Sequence, residues 1–218
     1  MAGTRVAVEV GSKRAFASAL DWPGWCRSGR TEQAALESLA AYADRYAVVP
    51  ATAGVPFSAK SAVKFDVIDR QKGGATTDFG APEVPAALES KPMTAAELKR
   101  MCSLVSASWK VFDGVVKKAP PGLRKGPRGG GRDRDKIVEH VLAAEVGYGS
   151  RLKLKLSQPE VGDQKGIKAM REAWLDAFRK YADGKLISET SRPARYMARR
   201  IAWHAMDHAW EIEDRSKP

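Results

Sequence analysis

The chain has 218 residues, 44% of them apolar, and carries 37 Lys and Arg against 26 Asp and Glu, a net charge of +11. That length suits one large domain or two small ones, and that apolar share excludes a chain disordered throughout. No apolar run approaches the roughly 20 residues of a membrane span and the opening MAGTRVAVEVGSKR has no signal-peptide core, so a cytoplasmic protein with no membrane partner is expected; the basic balance points to anionic partners.

Residues 4 to 10, TRVAVEV, alternate so that Val6, Val8 and Val10 share a face, a strand pattern. FASAL follows as a second strand and Asp21-Trp22-Pro23-Gly24 as a turn. Thr31 to Tyr46 is an Ala- and Leu-rich helix with Leu36, Leu39, Ala40 and Ala43 along one stripe, and VKFDVID, 63 to 69, is a further strand. Residues 1–70 are thus expected to form a small β-β-α-β domain. Residues 71–92, rich in Gly, Pro, Ala and Thr, are expected to be a linker or extended crossover.

From residue 93 to 218 the period changes to that of helices. Thr94 and Glu97 make a capping box, and Leu98, Met101, Cys102, Val105, Trp109, Phe112 and Val116 recur at spacings of three and four up to Pro120-Pro121-Gly122. A second helix is expected from about 133 to 154, a third from 163 to 183 with Gly184 near its cap, and a fourth from 191 to 215 with Pro193 in its first turn. Four amphipathic helices of this length make a four-helix bundle, and the fold class is α+β.

The chain has only three histidines. His204 and His208 lie on the apolar stripe of the fourth helix with Met197, Ile201 and Ile212, and His140 borders the apolar stripe of the second helix beside Ile137 and Val141. His140 is roughly 10 Å along its helix, and His204 and His208 are roughly 9–15 Å from the end of theirs, at 1.5 Å per residue. If the two helices run antiparallel, all three imidazoles meet at one level. Three neutral imidazoles form a ligand set for a divalent ion such as Zn, Ni or Fe, and leave open positions on it. Glu211, Glu145 and Asp207 are candidates to orient the rings, but are expected to be solvated surface acids.

One histidine on the second helix and H-x-x-x-H on the fourth resemble the DinB/YfiT-like superfamily of metal-binding four-helix bundles, over residues 94–215. The resemblance implies an up-down-down-up bundle with helices two and four antiparallel, and a metal triad on His140, His204 and His208. It also implies the chemistry of metal-dependent thiol transferases of the mycothiol and bacillithiol type, including the mycothiol-dependent maleylpyruvate isomerase domain. FASALDWPGWCRSGRTEQAALESLAAYADRY more weakly resembles the HicB-like antitoxin fold, although no separate DNA-binding element is found.

The loop LRKGPRGGGRDR, 123 to 134, leads into the second helix. Arg124, Lys125, Arg128 and Arg132 among its glycines are candidates to bind an anionic substrate or a low-molecular-weight thiol cosubstrate over the metal. The loop has no interleaved aromatics, which disfavours single-stranded nucleic acid as partner. Cys26 and Cys102 show no C-x-x-C spacing and are expected to be reduced; Cys26, on the DWPGWC loop, has no histidine left to activate it. The expected protein binds a divalent metal and acts as a thiol transferase or related hydrolase on a small anionic or electrophilic substrate, with a homodimer compatible with such a bundle. The alternative is a non-enzymatic HicB-like module that binds nucleic acid or a protein, with a structural metal.

Overall fold

The computed structural model describes residues 3–126 and 129–217. Strands β1 (Thr4–Val10), β2 (Ala15–Ala19), β3 (Cys26–Gly29) and β4 (Phe65–Lys72) form one sheet in the order β3-β2-β1-β4. β1 pairs antiparallel with β2 and parallel with β4, and β2 pairs antiparallel with β3. Of the expected apolar face of β1, Val6 and Val8 are fully buried but Val10 is exposed, and Ala7 and Glu9 on the opposite face are buried as well, because both faces of the strand are covered. In β4 the register shifts by one residue, so that Val6 faces Val67 but Ala7 faces Asp69, and Ile68 is the extra residue of a bulge. The β-β-α-β expectation missed β3. Its sequence CRSG has one apolar residue and no alternation, and it becomes a strand only by pairing with β2.

Helix α1 (Glu32–Ala41) starts at Thr31, whose hydroxyl accepts from the Ala34 amide at 3.1 Å. The helix expected to run to Tyr46 is interrupted at Tyr42 and resumes as the short α2 (Ala43–Tyr46), followed by α3 (Val48–Ala53) and α4 (Ala59–Ala62). Trp25 stacks on Tyr46 at 5.5 Å, and its Nε1 donates to the Leu39 carbonyl at 2.9 Å. The turn before it needs glycine: Gly24 has φ of 97°, and a Cβ there would lie 3.1 Å from both Met206 and Ser108.

The stretch expected as a linker is built into the fold. It carries α5 (Ala75–Phe79) and a 3-10 turn over Ala87–Ser90. Carboxylates tie its backbone down: Glu9 accepts from the Glu83 and Val84 amides at 3.0 Å, and Asp69 from the Ala87 amide at 2.7 Å. Glu89 is 1% exposed and pairs with Arg199 at 2.6 Å.

Four long helices follow: α6 (Ala95–Lys118), α7 (Arg134–Gly149), α8 (Gln164–Lys180) and α9 (Ala194–Arg215). The capping box of α6 forms as expected, with Thr94 and Glu97 bonded reciprocally. The other three are shorter than their periodic patterns. A 3-10 turn replaces the end of α7, Pro193 precedes α9 as its cap residue, and α8 stops at Lys180. Gly184, with φ of 76°, stands past that end where a Cβ would meet the Ser90 carbonyl at 2.4 Å, so it permits a close chain crossing as well as a turn.

Side-chain pairs give the directions. Arg134 at the start of α7 donates to the Ala119 carbonyl at the end of α6, and Trp109 donates to Glu145 further along α7. Arg171 of α8 pairs with Asp113, and Ala182 just past α8 accepts from Met93 just before α6. Arg195 at the start of α9 faces Glu97 at the start of α6. Hence α7 and α8 run opposite to α6, and α9 runs with it.

α9 is buried almost all round. One side meets the sheet, through Trp203 on Phe16, Arg199 on Ser18 and Asp207 on Arg27. The others meet α6, α7 and α8, so residues of sheet and long helices share one apolar cluster. Among the described residues, no helix is long and apolar enough to cross a membrane.

Candidate metal centre

His140 stands on α7, and His204 and His208 one turn apart on α9. One ring nitrogen from each lies within 4.8 Å of the others, and the ring centroids are 5.0, 5.0 and 4.6 Å apart. The antiparallel run of α7 against α9 makes this meeting possible. His140 meets His204 and His208 midway, and the Tyr148 ring lies beside Arg200 at one end. The Arg124 amide donates to the Arg215 carbonyl at the other.

His204 is 7% exposed, and its Nδ1 is buried without a hydrogen-bond partner. A buried ring nitrogen left unpaired costs free energy, which a coordinated ion would offset. Burial foremost, then the neighbouring His208 and His140, holds the His204 pKa well below the ordinary histidine value. Burial and His208 lower that of His140 as well. Both rings are therefore neutral near pH 7, the form that ligates metal. The residues present fit a divalent ion, and three histidines close together could hold one.

Glu211 was expected on the surface, and the structure corrects this. Its Oε2 lies 2.7 Å from His208 Nδ1, and its Oε1 accepts from Arg215 at 2.6 Å. The carboxylate can only accept, so His208 donates to it from Nδ1, and Nε2 is the nitrogen left to face an ion. The His208 hydrogen bond holds the Glu211 carboxyl below its usual range against the effect of burial, with Arg215 adding to it. Glu211→Gln is expected to weaken metal affinity about tenfold to a hundredfold, the range for groups that orient a ligand. Glu213→Gln, where the acid pairs with Arg45, should leave affinity unchanged in the same metal titration.

Glu145 is also not a surface acid. It is 1% exposed, its Oε1 accepts from Trp109 Nε1 at 2.7 Å, and burial pushes its carboxyl up to about 7 against Arg171 and that hydrogen bond. It braces α7 on α6 and makes no hydrogen bond to the histidines. Asp207 pairs with Arg27 at 2.7 Å and likewise leaves the site alone.

The basic loop divides. Lys125 and Arg132 line a cleft of about 470 Å³ with His140, Lys136 and Glu139. Lys125 is held there by Asp133 at 2.5 Å, and the charge of Arg132 contributes to the lowered pKa of His140 and His204. Arg124 instead bonds the end of α9, donating to the Asp214 carbonyl at 3.1 Å. Arg128 lies outside the described residues.

Two neighbours of the triad were not anticipated. Tyr148, eight residues after His140, has its ring 6.0 Å from that of His204, and Arg200, four residues before His204, is 9% exposed. Both intervals place a side chain on the same helix face as the histidine, so periodicity carried the signal. Cys26 lies within β3 rather than on a loop, and burial pushes its thiol up to about 11, so it is protonated and unreactive; burial also raises Cys102. No family model, curated protein or solved structure matches this chain.

Proposed function

We propose that the chain is a DinB-like, divalent-metal-binding enzyme that activates a thiol or water toward a small electrophilic substrate, as a thiol transferase or related hydrolase. The observation that carries this reading is the triad itself: every histidine of the chain converges from two antiparallel helices, and one buried ring nitrogen lacks a partner. The relative directions of α6 to α9 are compatible with an up-down-down-up bundle.

A divalent ion bound to three imidazoles keeps an open position and supplies Lewis acidity there, lowering the pKa of a thiol or water. The protein's own groups do the rest. Glu211 and Arg215 fix the tautomer and orientation of His208. The packing around His204 keeps bulk water from that side of the site. His140, half-buried, lines the wall of the open cleft, where Arg132 offers positive charge to an anionic substrate or cosubstrate and Lys125 is paired with Asp133.

The test begins with elemental analysis of the purified protein, where about one divalent ion per chain is expected. The metal-loaded protein should then conjugate a low-molecular-weight thiol to an electrophilic aryl halide, and lose that activity on chelation. Absence of stoichiometric metal at neutral pH would end this reading. Metal without thiol-dependent turnover would leave hydrolysis as the activity to assay.

A further inference from the structure

Arg199 and Arg200 are adjacent on α9, and both are buried. Arg199 is neutralised by Glu89, with Nε–Oε1 2.6 Å and Nη2–Oε2 2.9 Å. Arg200 has no carboxylate partner among the described residues; its only protein acceptors are the hydroxyls of Tyr196 and Tyr148, each at 3.5 Å. Elsewhere Arg27, Arg45, Arg171 and Arg215 all have acids. The guanidinium also lies against the Tyr148 and Trp203 rings, at 5.1 and 5.6 Å from their centroids, but rings and long hydroxyl contacts leave its charge without a counter-ion, which an anion would supply.

The surroundings supply a place for one. Arg200 opens on a pocket of about 150 Å³ walled also by Arg151, Arg192, Tyr148 and Tyr196. Arg151 and Arg192 bond only backbone carbonyls, those of Thr190 and Ser191, and neither has an acidic partner among the described residues. The single carboxylate on the wall, Glu83, lies over Gly74 and makes no ion pair among the described residues. Three guanidiniums against one carboxylate leave the pocket with an excess of two positive charges. The hydroxyl hydrogen of Tyr148 has no acceptor among the described residues, so it can donate to a ligand. At a share of about 30 Å³ per water, the volume suits one oxyanion group with its nearest waters, not a whole cosubstrate.

The pocket also adjoins the triad. Arg200 and His204 are one helical turn apart on the same face of α9, and the Tyr148 ring touches both, with its centroid 5.1 Å from the Arg200 guanidinium and 6.0 Å from the His204 ring. We propose that this pocket is an oxyanion-binding site, in which Arg151, Arg192 and Arg200 hold the carboxylate or phosphate end of a small molecule beside the histidine cluster. Planar guanidinium forks suit such a group better than a point charge would. The binding of an oxyanion stands independently of any metal; only its role as a substrate anchor rests on the function proposed above. It would narrow the substrate to a small organic acid or phosphorylated compound, held at the end opposite its reacting group.

The experiment is calorimetric titration of the full chain with inorganic phosphate and, separately, with acetate, once after chelation and once loaded with metal. Saturable one-to-one binding is expected after chelation, and that site is expected to persist when metal is loaded. The probe that binds more tightly tells which oxyanion the site takes. Arg151 is exposed and Arg192 half-buried, so Arg151→Gln and Arg192→Gln should fold normally; each should weaken binding about tenfold, the value of one charge-assisted hydrogen bond. Arg200→Lys keeps the charge and tests the fork geometry, with a similar loss expected. Arg124→Gln, at the other end of α9, should bind as the unsubstituted protein does. No saturable binding, or affinities equal across the Arg151 and Arg192 variants, would overturn the inference. Metal content measured on the same samples separates the two ideas: oxyanion binding without metal sinks the enzyme reading alone, and metal without oxyanion binding sinks this one alone.

Discussion

His204→Ala is expected to abolish stoichiometric metal binding, weakening affinity by more than the tenfold to hundredfold typical of losing a group that merely orients a ligand. His204 is the most buried of the three and carries the unpaired nitrogen, so no solvent molecule can readily replace it. The effect should be visible in stability. A ligand present at a hundred times its dissociation constant raises native stability by about 2.7 kcal/mol. Added zinc or nickel should therefore raise the melting temperature of the native protein by several degrees and leave that of His204→Ala unmoved. An equal shift in both proteins would place the metal elsewhere. The dependence on pH has a definite sign. Metal competes with protons for the same nitrogens, and affinity falls once they protonate. His204 and His140 are both held below the ordinary histidine value. Metal should thus be retained to a more acidic pH than by histidines of ordinary pKa.

Glu89→Ala is expected to be the most destabilising single change away from the triad. Glu89 and Arg199 are 1% and 3% exposed, and removing one partner of such a pair leaves an uncompensated charge inside the protein. Burial works against the Arg199 charge, and Glu89 more than offsets this, so that the guanidinium is held above its ordinary pKa. Loss of Glu89 should cost about 3–5 kcal/mol, a large part of the about 5–15 kcal/mol that holds a typical domain together. Urea unfolding of Glu89→Ala would measure it. Pairing Glu89→Leu with Arg199→Met should recover most of the loss, because apolar contacts of similar volume replace the pair. If Glu89→Ala costs under about 1 kcal/mol, the segment around residues 71–92 is not anchored by this pair.

Local spacing made several features legible. His204 and His208 are four apart, and the helix period alone puts both on one face. Thr94 and Glu97 form their capping box because both partners lie within one turn. The period of two put Val6 and Val8 on one face of a strand, and both are buried, although it did not show that Ala7 and Glu9 on the other face are buried too. The same local rule failed where the deciding partner is remote. CRSG becomes a strand through β2, and Glu145 is drawn inside by Trp109 on another helix. Glu89 is fixed by an arginine 110 positions away. Charged residues carry no periodic mark that says they are buried, so their pairing is invisible to pattern.

The sequence by itself therefore determined the period and face of each long element, and with them a pair of histidines pointing one way from a single helix. Only the tertiary structure decided that α7 runs against α9, which brings His140 level with that pair, and that Glu211 turns toward His208 rather than outward. It also decided that Arg200, unlike its buried neighbour Arg199, is left without an acid among the described residues. The reason is physical: a side chain's face follows from rotation about its own helix axis, whereas its partner follows from how separate axes are packed, and no spacing within one segment encodes that.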